Sequence, residues 1–236
     1  MRRPRATRPL VLAVHGTRSA EGTATSEALG RAVAERLDVE THLGWVDIHT
    51  PTLTDTLRSL GEAVVVPVFL TSGYHVTSDI PAAIAAAGGR ATATPLIGAD
   101  VLPAVLDRLA EVGDFDAVVL GSAGSLRARA LAEVRAATIA LGRALRRPAL
   151  AGYVTAASPT VPEAVAELRA AGHARVAVAS YLLAPGRFSA QLARAGADAV
   201  SRPIGVHPLL IELIVQRRQA ALDQTLSATR PKAVND

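Results

Sequence analysis

Trp45-Val46-Asp47-Ile48-His49-Thr50-Pro51-Thr52 is answered by Tyr153-Val154-Thr155-Ala156-Ala157-Ser158-Pro159-Thr160, with Pro-Thr at a fixed shift of 108 residues. Each stretch begins with an aromatic and a β-branched residue and ends in hydroxyl-Pro-Thr. That is the grammar of a strand end followed by a helix start. Thr50-Pro51 and Ser158-Pro159 put a capping hydroxyl before Pro at the first helical position. Thr160 with Glu163 offers a capping box as an alternative start.

Reading outward, the same order of elements occurs twice. Strand candidates in the first copy are 9–14 (PLVLAV), 39–46, 63–70 (AVVVPVFL) and about 91–95. Helix candidates lie between and after them, near 22–37, 52–60, 78–87 and 100–112. Leu29, Val33 and Leu37 recur every four residues and make one apolar stripe. Runs such as VVVPVF are apolar on both faces, as a parallel strand covered by helices on both sides requires. In the second copy Asp116–Gly121 (DAVVLG) is matched with Leu10–His15 (LVLAVH), Tyr181-Leu182 with Phe69-Leu70, and Pro203-Ile204 with Pro95-Leu96-Ile97.

Each half thus reads β-α-β-α-β-α-β-α over about 110 residues, a duplicated domain and not a solenoid. The predicted class is α/β: two similar flavodoxin/Rossmann-like halves, each a parallel four-stranded sheet flanked by helices, related by a pseudo-twofold. The predicted segments are a basic tail over 1–8, halves over 9–113 and 114–225 joined near Gly113-Asp114, and a second tail over 226–236. Ligands on open parallel sheets bind beyond the carboxyl ends of the strands, so a cleft shared by the halves is expected.

Composition narrows the chemistry. The 236 residues contain no cysteine, which removes disulfides, thiolate metal sites and a cysteine nucleophile. Aromatics make up 3% of the chain, too few for a base-stacking platform. The net charge of +4 equals the contribution of Arg2, Arg3, Arg5 and Arg8 alone, so the remainder is near neutral and no nucleic-acid partner is expected. No apolar run approaches the ~18 residues of a membrane span. The start, MRRPRATR before PLVLAV, lacks a signal-peptide h-region, and a cytoplasmic protein is expected. There is no G-x-G-x-x-G after a strand and no G-x-x-x-x-G-K-[ST], which disfavours dinucleotide and ATP, so no organic cofactor is expected.

The positions just after strands 1, 2 and 3 of the first half hold His15, Asp47 and His75. Two imidazoles and a carboxylate at neighbouring strand ends suit Co²⁺, Fe²⁺, Ni²⁺ or Zn²⁺ with coordination positions left open. Each also has a plainer reading. His15 can be the polar end of a buried strand before a glycine turn, and His75 can satisfy a loop carbonyl. Asp47 can cap the next helix or orient a histidine. Asp79 reads as a charge at a helix N-terminus rather than a ligand. His49 sits at an alternate position that points it elsewhere, and His42, His173 and His207 show no convergence. Ser122 and Ser125, after the first strand of the second half, can hold a carboxylate at a helix start. Arg187 can pair with another.

His15-Gly16-Thr17-Arg18 after a strand, and Phe69-Leu-Thr-Ser-Gly-Tyr-His75-Val-Thr-Ser-Asp79-Ile80, resemble two motifs of the class II sirohydrochlorin chelatases over roughly residues 9–225. That resemblance implies the class II chelatase fold and an ATP-independent lyase. It implies insertion of Co²⁺ or Fe²⁺, with Ni²⁺ a further candidate, into sirohydrochlorin in siroheme or cobalamin biosynthesis. It carries the metal histidines over to His15 and His75. The family's acidic residue, usually Glu, lands on Asp47, one methylene shorter. The second half has no histidine at the matching positions, as two-half members commonly keep ligands in one half. Arg18, Tyr74, Ser122, Ser125 and Arg187 are then the expected substrate-binding residues, Arg18 and Arg187 through bidentate pairing with rim carboxylates. The alternative is a non-catalytic metal or tetrapyrrole carrier on the same fold. A monomer is expected, because the two halves together form the cleft.

Overall fold

The computed structural model describes residues 8–228, with side chains to 224 in the last helix. Residues 1–7 and 229–236, most of the two predicted tails, lie outside the described residues. Arg8, counted with the basic tail, is buried, and its guanidinium pairs with Glu62 at 2.9 Å.

The first half runs β1 (Leu10–Val14), α1 (Ala20–Leu37), β2 (Thr41–Trp45), α2 (Leu53–Leu60) and β3 (Val64–Pro67). A π-helical turn (His75–Asp79) then leads into α3 (Ile80–Ala86), β4 (Thr92–Ala93), a 3-10 turn (Gly98–Val101) and α4 (Leu102–Ala110). The second half repeats it as β5 (Ala117–Ser122), α5 (Ala128–Leu145), β6 (Ala149–Tyr153), α6 (Val161–Ala170), β7 (Val176–Tyr181), α7 (Arg187–Leu192), β8 (Ala199–Val200) and α8 (Pro208–Ala228). The sheets are parallel, in the orders β2-β1-β3-β4 and β6-β5-β7-β8. This is the predicted pair of four-stranded α/β halves.

Register corrects one detail. Leu10 lies opposite Thr41 and Val64, and Val118 lies opposite Ala149 and Ala177. Val118, not Asp116, therefore occupies the place of Leu10, and the counterpart of His15 is Ala123 rather than Gly121. A strand buried on both faces carries no period-two signal, so a slip of two residues is invisible in its sequence.

Backbone punctuation follows the shift of 108 closely. Gly16 and Gly124 take φ of 87° and 93°, Ile48 and Ala156 take 70° and 59°, and both Thr50-Pro51 and Ser158-Pro159 are cis. The caps are Thr52 and Thr160, two residues beyond Thr50 and Ser158; in the second half this is the alternative start that Thr160 and Glu163 offered. Each accepts a hydrogen bond from the backbone N–H of Asp55 or Glu163, whose carboxylate reaches back to close a capping box.

The halves share one core. Leu10, Leu12 and Val14 of β1 face inward with Val118 and Leu120 of β5, while Val11 and Ala13 face an outer cluster with α2 and α3. The fourth helices cross over. α4 packs on β7 of the second half, and α8 packs on α1 and β3 of the first. Polar contacts fix the exchange: Arg108 donates through Nε and Nη2 to the Ile204 carbonyl, Arg36 pairs with Glu212, and Arg218 donates to the Arg8 carbonyl. The expected junction at Gly113-Asp114 is thus a turn between α4 and β5, and the sheets on either side exchange their covering helices.

Candidate metal centre and cleft

His15 follows β1 at the carboxyl edge of the sheet. Gly16 makes this turn possible, since a Cβ there would lie 2.2 Å from the Asp47 carbonyl oxygen. The same carbonyl edge accepts nothing from the His15 ring. Instead His15 Nδ1 lies 3.0 Å from the Gly16 carbonyl, which can only accept, so the neutral ring carries its proton on Nδ1. Nε2 is left with its lone pair free to bind.

His75 opens the π-helical turn, and its Nδ1 donates to Asp79 Oδ2 at 2.6 Å. Its Nε2 is also left as an acceptor. Asp79 is therefore not simply a helix-start charge. The helical path begins at His75, which puts Asp79 four residues along on the same face. A carboxylate in this place fixes the tautomer and orientation of a metal-binding imidazole and raises its basicity. The two imidazoles stand edge to face with centroids 4.5 Å apart, and the Phe69 ring lies 6.4 and 6.3 Å from them.

Asp47 is placed otherwise. Its backbone N–H donates to the His15 carbonyl at 3.2 Å, but its exposed carboxylate turns back to accept from the Ile48 N–H at 2.8 Å. The carboxylate is not part of the cleft wall. Among the described residues no group of three or more His, Cys, Asp or Glu side chains is arranged to hold a metal. His49 does point elsewhere, its Nε2 donating to the Thr17 carbonyl at 2.5 Å beneath Trp45. His42 pairs with Glu40 on the surface. His207 is buried at the start of α8, where Nδ1 accepts from the Leu209 N–H. Burial holds its pKa below the ordinary value, with Arg108 acting in the same direction.

The histidines open on a cavity of about 720 Å³ between the halves. From the first half it is lined by His15, Arg18, Ile48 and the segments 68–71 and 73–75; from the second, by Ser122 to Ser125, Thr155 and the segment from Tyr181 to Phe188. The structure thus gathers Arg18, Tyr74, Ser122, Ser125 and Arg187 around one cleft with both histidines, and leaves the Asp47 carboxylate outside its lining. Arg18 and Arg187 are exposed, and neither makes a hydrogen bond or ion pair among the described residues. Ser125 Oγ accepts from the Arg127 N–H, while the Arg127 guanidinium lies 5.3 Å from the centre of the exposed Tyr74 ring. Arg187 begins α7; the Ala190 N–H bonds the Gly186 carbonyl as Thr77 bonds Gly73, so Arg187 takes the place of Tyr74 and Phe188 that of His75. The sequence reading missed the His75–Asp79 pair, which the spacing of four could have shown once a helix through both was recognised. It also missed the contacts that Arg127 and Glu133 make across the cleft, for which no local signal exists.

The chain is similar to several known proteins. A sirohydrochlorin cobaltochelatase of Methanopyrus kandleri is 35% identical over 78 residues, a match spanning 30% of this chain and 54% of that relative's length. SirB from Bacillus subtilis, solved with Fe³⁺, superposes with a TM-score of 0.79 at 20% identity, covering 94% of this chain and 98% of that one. SirB of the spizizenii subspecies, in complex with cobalt, gives 0.78 at 18% identity over 94% and 97% of the two chains. At these identities the structural likeness bears on the fold. The family model named CbiX matches the chain twice, over residues 9–111 and 117–221, once in each half, and the chain belongs to the CbiX family.

Proposed function

We propose that the protein is a chelatase that inserts a divalent metal, Fe²⁺ or Co²⁺, into sirohydrochlorin. One observation carries the reading most: two imidazoles 4.5 Å apart, each with Nδ1 engaged by an acceptor, present their Nε2 atoms to a cleft large enough for a plate-like ligand. The sirohydrochlorin named as substrate of the cobaltochelatase relative, and the iron and cobalt of the SirB structures, support the same reading.

The chemistry follows from the donor set. Two neutral nitrogens hold a first-row ion loosely and leave its other positions to water or to the incoming ring. A fully coordinated site would keep the ion, whereas an inserting site has to release it. As the metal passes to the four ring nitrogens, two pyrrole protons must leave. A nitrogen that gives up the metal regains a lone pair, and His15 and His75 then accept those protons. Asp79 stabilises the His75 imidazolium formed in that step through the Nδ1 hydrogen bond. Asp47 contributes through its backbone, which fixes the His15 turn. Arg18 and Arg187, without protein partners among the described residues, take carboxylates at opposite sides of the ring. The Ser122–Ser125 turn supplies backbone and hydroxyl donors to a third.

The test is anaerobic insertion into sirohydrochlorin, followed by the absorbance shift, with Fe²⁺, Co²⁺ and Ni²⁺ compared. His15→Ala and His75→Ala should each lower the rate by more than about 100-fold, beyond the range for loss of an orienting partner, with unchanged far-UV dichroism. Near-native insertion in either variant would falsify the site. Binding of metal and ring with no turnover under excess metal would identify a carrier instead.

A further inference from the structure

The loop that carries His75 is held from the other half of the molecule. The loop after β3 is tied to its own half only at its start, where the Val68 N–H donates to the Ala13 carbonyl at 2.9 Å and the Phe69 carbonyl accepts from the Gly98 N–H at 3.0 Å; beyond Phe69 its backbone bonds are local, such as Gly73 N–H to the Thr71 carbonyl at 2.9 Å. A Cβ at Gly73 would meet nothing within 4 Å, so one side of the loop is open. Its anchor lies across the cleft. Glu133 of α5 accepts from the Ser72 backbone N–H at 2.6 Å through Oε2 and from Ser72 Oγ at 2.7 Å through Oε1. Arg129 donates to the same carboxylate at 3.2 Å, and Tyr181 donates to the Leu70 carbonyl at 3.3 Å.

We propose that Glu133 is a positioning residue for metal transfer: by clamping Ser72 it sets the height of the His75 imidazole over the cleft. The inference rests on the chelatase reading above and deepens it.

Three features support it. Ser72 is 4% exposed, so removing the carboxylate strands a buried N–H and a buried hydroxyl, which the loop can satisfy only by moving. His75 is three residues further along, with no rigid element between. The clamp is also absent from the other loop of the duplicated fold. The counterpart of Ser72 is Pro185, which has no N–H to donate, and that of Glu133 is Thr25; there the loop packs instead by backbone approach, the Pro185 carbonyl lying 2.5 Å from where a Cβ of Gly22 would be. The carboxylate clamp thus occurs on the loop that bears a histidine and not on the loop that bears Arg187. The charge state suits the role. Burial pushes the Glu133 carboxyl up, but the two hydrogen bonds from Ser72 and the Arg129 guanidinium outweigh it and hold it below the usual carboxylate range.

The probe is Co²⁺ alone, titrated into the full-length protein and read by its visible absorption, well below the unfolding temperature. Glu133→Ala should weaken Co²⁺ binding about 10-fold and shift its spectrum, the size expected for loss of a group that orients a ligand. With sirohydrochlorin present, kcat should fall while KM stays close to native. Glu133→Gln keeps an acceptor oxygen and should recover most of the affinity, and Ser72→Ala added to Glu133→Ala should cause no further loss. A purely structural role would lower the melting temperature and leave the Co²⁺ affinity and spectrum native, and that result would overturn the proposal. If Glu133→Ala does not fold, Ser72→Ala alone must reproduce the shift, and a native spectrum there overturns it equally. His15→Ala and His75→Ala run alongside separate the two ideas: if they too bind Co²⁺ normally the metal site itself is wrong, and if only Glu133→Ala does, the clamp is.

Discussion

Gly16 and Gly124 make the same turn in the two halves, with φ of 87° and 93°, yet the residue before each differs: His15 in one and Ala123 in the other. In the helical segment after the third strand, likewise, Phe188 stands in the second half where His75 stands in the first. The left-handed residues, the cis prolines and the capping boxes are kept in both. Backbone geometry has therefore been retained without the imidazoles, which means the turns serve something the halves share. That shared element is the cleft, whose two walls are these turns. On the proposed function, metal chemistry is confined to one wall, while both walls hold carboxylates of the ring, through Arg18 on the first and Arg187 with the Ser122–Ser125 turn on the second.

The strongest way to break that division is to damage the same turn on each side. A Cβ at Gly124 would lie 1.8 Å from the Thr155 carbonyl oxygen, and one at Gly16 would lie 2.2 Å from that of Asp47. Gly124→Ala and Gly16→Ala should each cost about 1–3 kcal/mol from backbone strain alone, with more from the displaced carbonyl, measured by urea unfolding. Only Gly16→Ala should also lose Co²⁺ affinity. Equal loss in both would show that the second wall takes part in holding the metal.

A smaller effect sharpens the comparison from the other direction. Arg187→Gln keeps a hydrogen-bond donor but shortens the reach and removes the charge. A charge-assisted hydrogen bond contributes about 1.5–3 kcal/mol, so KM for sirohydrochlorin should rise on the order of 10-fold or more. With kcat and Co²⁺ affinity unchanged, that pattern marks uniform binding of ground and transition states. A fall in kcat at unchanged KM would instead place Arg187 in the insertion step.

How much of this the sequence could disclose depended on the kind of signal. The β-branched runs at 9–14 and 63–70 and the stripe Leu29, Val33, Leu37 name their elements directly, since burial on one or both faces leaves a period or a solid apolar run. β1 ends at Val14 as its run suggests, but β3 ends earlier, at Pro67, because Phe69 and Leu70 belong to the cleft rim. The crossing of α4 and α8 left no trace: an amphipathic stripe says that a helix buries one face, and nothing about which sheet receives it. His15 and His75 stand out through their position after strands. Their supports do not, because Gly16 acts through a carbonyl and Glu133 through a contact 61 residues away. Asp47 shows the converse, a side chain whose type invited a role that its orientation toward Ile48 does not give it.

The crossed helices offer the last and smallest test, since they are what ties the unlike halves together. At the end of α4, Glu111 accepts from Arg202 at 2.6 and 2.8 Å and from Arg108 at 3.0 Å. The Arg202 hydrogen bonds, then Arg108, outweigh burial and hold its carboxyl down to about 2. A carboxyl depressed in the folded state stabilises the fold above its ordinary value of 4.5 and loses that contribution as pH falls toward 2. The pair is exposed, so the effect is modest. Wild-type stability should therefore fall between about pH 5 and about pH 3 by more than that of Glu111→Gln, compared by urea unfolding. The contacts of α8 with α1 do not involve Glu111, so the difference between the two proteins reads the α4 crossing alone. Parallel pH profiles would mean that Arg108, through its bonds to the Ile204 carbonyl, secures that crossing without the carboxylate.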